Sequence, residues 1–173
     1  MRTPLLILGT VLALAGCSSE SGSPAGGSPD ASSSATVGTS QAPDDLPDPC
    51  SLLTGAEVKA ATGRTFGEGA VNTTVSQEGI SACDWQGPGV DTVQALVTTV
   101  DAFDSSRQTA ADVYGSANDV SIAGVDRAYV VKGGFLIGMD VGKTFLQVSY
   151  IASGGPVADA VLKLATRAAG RMS

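Results

Sequence analysis

No histidine occurs in the 173 residues, which removes Ser-His-Asp and Cys-His catalysis, His-ligated zinc and the imidazole pH switch together. Basic residues are also scarce: 10 Lys and Arg stand against 17 Asp and Glu, for a formal charge of -7. Nucleic-acid binders concentrate Lys and Arg to displace counterions, so no nucleic acid is expected as a partner. A membrane-crossing helix needs roughly 18 to 20 apolar residues, and the apolar run at 5–15 stops at eleven. With aromatics limited to four Phe, three Tyr and one Trp, the chain has material for one ordinary domain.

What is present begins with an address. Arg2 precedes the apolar run, which ends in small residues, the pattern of a secretory signal. Leu14-Ala15-Gly16-Cys17 closes it and resembles the bacterial lipobox, whose Cys receives diacylglycerol and becomes the first residue of the mature chain. The expectation is a signal peptide over 1–16, lipidation at Cys17, and a protein held to the outer face of the cytoplasmic membrane. Two or three acyl chains, at about 0.8 kcal/mol per buried methylene, anchor stably without a transmembrane helix.

Residues 18–47 contain 23 Ser, Gly, Pro, Ala or Thr in thirty positions. Such a segment buries too little apolar surface to offset its ordering entropy, so 17–47 is expected to be a disordered tether. As a flexible coil it spans roughly 30 Å, with an extended limit of about 100 Å. The composition changes at Asp48, and 48–173 is expected to be a single globular domain. Of the three Cys, lipidation of Cys17 leaves Cys50 and Cys83 as an even pair in an oxidising compartment, which predicts one disulfide.

Within the domain, Asp48-Pro49 can start a helical turn, and Thr54 with Glu57 has capping-box spacing before a short helix that Gly63 stops. Cys83 and Trp85 share one face of a strand over 81–86, and Gly87-Pro88-Gly89 turns the chain into a second strand at 91–100. Ser105 and Gln108 have capping-box spacing ahead of a helix reaching Tyr114, with Gly115 as its stop. Strands follow at 120–122, 128–131, 135–141 and 144–151, the last pair joined by a Gly142-Lys143 turn. In the third of these, Phe135, Ile137, Met139 and Val141 alternate with Leu136, Gly138, Asp140 and Gly142, giving one buried face and one largely wet. Gly155-Pro156 opens a last helix with an apolar stripe of Val157, Val161, Leu164, Ala165, Ala168 and Met172. Its polar line is Asp159, Lys163, Arg167 and Arg171, acid first and bases last, as the helix dipole favours. The fold class expected is α+β, an antiparallel sheet of five or six strands with helices packed on one side.

Asp48-Pro49-Cys50-Ser51-Leu52-Leu53, then Cys83-x-Trp85, then Ile122-Ala123-Gly124-Val125-Asp126-Arg127-Ala128-Tyr129 resemble the actinobacterial lipoproteins catalogued as domain-of-unknown-function family 3558. The resemblance covers 17–173 and implies an outer-surface lipoprotein with a conserved disulfide. It brings no established catalytic residues.

Chemical motifs are few. Gly138 to Thr144 reads G-x-x-x-G-K-T, one residue short of a phosphate loop and placed at a hairpin. Asp101, Asp104 and Asp112 lack the loop pattern of a calcium site. Asp84 with Asp101 is the carboxylate pair considered for glycoside hydrolysis, and a Ser-Lys dyad at Lys59, Lys132, Lys143 or Lys163 has no marked serine partner. Trp85 either stacks on a ligand or packs over the disulfide. No cofactor, metal or catalytic set is expected. The leading expectation is a non-enzymatic, lipid-anchored domain that binds an envelope ligand or protein partner. An envelope hydrolase using carboxylates and a structural accessory subunit are the alternatives.

Overall fold

Asp48 caps a one-turn helix, Pro49–Ser51, by accepting a 2.9 Å hydrogen bond from the Cys50 N–H. Thr54 and Glu57 then form the expected capping box, and α1 (Gly55–Thr62) ends at Gly63, whose φ of 72° is the left-handed conformation glycine tolerates best. The computed structural model describes residues 46–172. The signal peptide expected at 1–16, the lipidation expected at Cys17 and the tether expected up to residue 45 therefore lie outside the described residues. Leu46 already packs against the core, two positions before the boundary expected from composition. Among the described residues, no helix is long and apolar enough to cross a membrane.

The strands are β1 (Ala70–Val71), β2 (Ile80–Gln86), β3 (Thr92–Thr99), β4 (Ala117–Asp119), β5 (Arg127–Val131), β6 (Leu136–Val141) and β7 (Thr144–Ile151). With α2 (Ala102–Tyr114) between β3 and β4 and α3 (Ala158–Ala169) last, they form one antiparallel sheet in the order β1-β2-β3-β7-β6-β5-β4. The class is α+β as expected, but the described sheet has seven strands, not five or six. The two additional pairings are the edges, β1 on β2 and β4 on β5. At two and three residues, neither shows a period-two pattern. The strand expected at 120–122 is instead β4, three residues earlier.

Helices cover both faces, which corrects the one-sided arrangement. On the first face, Trp85, Val93, Ala95, Ile137, Met139 and Val148 form one core with Val58 of α1 and Val161, Leu164, Ala165 and Ala168 of α3. On the second face, Phe103 and Ala110 of α2 join Tyr129, Val131, Leu136 and Phe145. Phe103 meets Tyr129 and Phe145 edge to face at 5.5 and 6.1 Å. Under α2, β6 is buried on both sides, so Leu136, Gly138 and Asp140 are not wet. Gly138 is required there, because a methyl group on it would overlap the Tyr129 ring lying across it. The α2 start also differs: Asp101 occupies the cap position without a side-chain cap bond, and Ser105 Oγ donates to the Ala102 carbonyl within the first turn.

The Tyr129 hydroxyl is fully buried and has no hydrogen-bond partner among the described residues. Burial pushes its pKa up to about 12. An unpaired buried hydroxyl costs about 1 to 3 kcal/mol, so Tyr129→Phe should raise stability by about 1 kcal/mol. Urea denaturation checks this; a lower midpoint at unchanged slope would contradict it.

Candidate functional site

A crevice of about 690 Å³ lies between α1 and α3, lined by Glu57, Ala60 and Ala61 on one side and Leu162, Lys163 and Arg167 among those on the other. Local folding dictates its shape. The capping box fixes the start of α1: the Glu57 N–H donates to Thr54 Oγ1 at 3.2 Å and the Thr54 N–H to Glu57 Oε2 at 2.9 Å. Val58 then faces the core, leaving Ala60 and Ala61, whose short side chains do not fill the space toward α3. The core stripe of α3 leaves Lys163 and Arg167 exposed one turn apart, with Leu162 beside them at 40 % exposure.

The electrostatics divide the cations into committed and uncommitted. Arg171 donates to the Leu52 carbonyl at 2.7 Å and to Glu57 Oε1 at 2.7 Å, tying the end of α3 to α1. Burial acts to raise the Glu57 pKa, but donation from Thr54 and Arg171 outweighs it and holds the carboxyl below its ordinary value. Arg167 reaches the same oxygen only through Nε at 3.5 Å, with its side chain 64 % exposed. Among the described residues Lys163 has no ion-pair partner, Asp159 one turn earlier included. In the sequence these two residues look only like a dipole-favoured line. The signal for a crevice is the Ala60-Ala61 pair, which becomes informative once α1 is known to lie beside α3.

The buried acids belong to other regions and are engaged with arginine. Asp91 accepts from the Ser153 N–H at 2.8 Å, from the Ser153 hydroxyl, and from Arg64. The Ser153 N–H foremost, with Arg64, holds its pKa below the ordinary carboxylate value. Asp140 accepts from Arg127 Nε at 2.9 Å, and burial raises its pKa despite that partner. Arg127 also lies 4.1 Å over the Phe103 ring and pairs with Asp104.

The other residues marked in the sequence are placed as follows. Cys50 and Cys83 are bonded, with Cα atoms 5.1 Å apart. Trp85 is 0 % exposed, so the ligand-contact expectation is corrected: its indole lies within the core, beside Cys83 and beneath Gly69. A methyl on Gly69 would sit 2.8 Å from both Cys83 Sγ and the indole. Asp84 accepts from Asn72 at 2.8 Å and Gln94 at 2.9 Å. Asp84 and Asp101 are not brought together. Gln94 faces Asp84 across the ladder, Thr99 is five residues or roughly 16 Å farther along β3, and Asp101 lies past that end. Paired glycosidase carboxylates sit about 5 to 9.5 Å apart. Asp104 is held by Arg127 and Asp112 accepts from Gln108; among the described residues no group of three acids or cysteines is placed to hold a metal ion. Gly142 and Lys143 form the β6–β7 hairpin turn.

Comparison with curated proteins and with solved structures finds no match. Residues 12–160 do match the family described as Protein of unknown function (DUF3558), a span that takes in the whole described sheet and the start of α3, and the chain belongs to that family.

Proposed function

We propose that the chain is an exported cell-envelope protein, lipid-anchored through Cys17 on the outer face of the cytoplasmic membrane, whose domain binds a ligand without chemical turnover in the crevice between α1 and α3. The observation that carries the binding reading is the crevice itself, where an apolar floor meets the unpaired Lys163 and an Arg167 that touches Glu57 only through Nε at 3.5 Å, at one concave surface. The buried carboxylates Asp91 and Asp140 support it from the other direction, being engaged with Arg64 and Arg127 away from that surface. Export is supported by the lipobox resemblance and by cysteine parity: Cys50 and Cys83 are joined, a bond favoured in oxidising compartments, and Cys17 is the one left over.

Mass spectrometry of the N-terminal peptide from the membrane fraction tests the anchor. The expected species begins at Cys17 and carries a thioether-linked diacylglycerol. A chain that retains residues 1–16 with an unmodified thiol at Cys17 would overturn it.

A further inference from the structure

We infer that the α1–α3 crevice seats an anionic membrane phospholipid, with the phosphate between Lys163 and Arg167 and one acyl chain over Ala60, Ala61 and Leu162. This deepens the binding reading above and rests on it. At about 690 Å³ the crevice lies within the roughly 300 to 1,000 Å³ typical of small-molecule sites, and its floor of Ala60, Ala61 and Leu162 is apolar, with the Thr166 hydroxyl beside it donated to the Leu162 carbonyl.

The whole chain carries -7, yet this one surface sets Lys163, Arg167 and Arg171 against Glu57 alone. Arg171 is spent on Glu57 and the Leu52 carbonyl, leaving Lys163 and Arg167 as an i, i+4 pair of like sign. Such pairs repel and favour an anion between them. Arg167 touches Glu57 only through Nε at 3.5 Å, whereas Arg64, Arg107 and Arg127 each meet a carboxylate more closely. The helix dipole accounts for cations in the last turn of α3, but Lys163 sits in the middle of the helix.

An ammonium and a guanidinium suit a phosphate, the guanidinium through paired N–H donors and the ammonium as a point charge. A phosphate beside a continuous apolar floor describes an amphiphile more closely than a free anion. The tether's extended limit of about 100 Å keeps the domain within reach of such lipids in the bilayer that anchors it.

The test uses the full acylated chain in phosphatidylcholine nanodiscs. Its lysines, which number four (Lys59, Lys132, Lys143 and Lys163), are reductively methylated with carbon-13, a modification that keeps their charge. Dihexanoyl phosphatidylglycerol, dihexanoyl phosphatidylcholine and glycerol phosphate are titrated in parallel below micellar concentrations. The expected result is a saturable shift of the Lys163 signal with phosphatidylglycerol, at least tenfold tighter than with either other probe. Arg167→Gln should weaken it at least tenfold, and Ala60→Trp, which fills the floor but keeps both cations, should abolish it.

Equal affinity for the two lipids, which both carry a phosphate, would overturn the preference for an anionic lipid while leaving a seat for a phospholipid of any headgroup. Equal affinity for glycerol phosphate would overturn the acyl seat, and equal movement of all four lysines, or none, would overturn the site. The mass at Cys17, measured on the same sample, reports the anchor separately from each of these.

Discussion

Replacing Cys50 and Cys83 together by alanine should lower stability by about 4 kcal/mol, the loop-closure value for partners 33 residues apart. For a domain of this size that corresponds to a fall of roughly 15 °C in Tm. The bond joins the one-turn helix at Pro49–Ser51 to the centre of β2, so it fixes the segment that delivers Leu52 and Leu53 to the core, where both are buried. Without it, that segment is held by those two side chains and by Arg171 on the Leu52 carbonyl. Calorimetry of the double variant beside the oxidised parent checks the value. A Tm within about 3 °C of the parent would show that the noncovalent contacts alone hold the segment in place.

Trp85→Ala should cost about 3 to 5 kcal/mol, the range for deleting a large buried aromatic, with no rise in solvent exposure to soften it, since the parent ring is 0 % exposed. Trp85→Phe should cost appreciably less, because it keeps a large aromatic ring and removes an indole N–H that is buried without a partner among the described residues. The indole and the disulfide sulfur both crowd Gly69, so the losses at Trp85 and at the cysteine pair should not add. Neighbours sharing one packing site typically couple by 0.5 to 3 kcal/mol. Urea denaturation of the single, double and combined variants measures that coupling. A Trp85→Ala protein as stable as the parent would contradict the core assignment.

Legibility in the sequence followed the range of the signal. Local chemistry was readable: the Thr54–Glu57 box, the Gly63 and Gly115 stops, the Gly142-Lys143 turn and the amphipathic stripe of α3 each depend on residues within a few positions. Cysteine parity was readable as well, because it is a matter of counting. The edges and the second layer were not. Ala70–Val71 and Ala117–Asp119 are too short to alternate, and their pairing depends on β2 and β5 already being in place. Leu136 and Gly138 read as solvent-facing because α2 returns over the sheet through Phe103, which no spacing in 135–141 encodes. The crevice was hidden for a similar reason: Ala60 and Ala61 are ordinary helix formers until α3 is beside them, and Lys163 and Arg167 are ordinary surface charges until Arg171 has taken up most of Glu57.

The shortness of β1 and β4 bears on how many copies can live side by side. A sheet invites intermolecular pairing along any exposed rim, and long flat rims are the usual template for self-association. Here the rims offer only two and three residues, too little for a neighbouring copy to extend the ladder. At high local density, where copies meet far more often than in dilute solution, these stunted borders would let them crowd without zipping into ribbons.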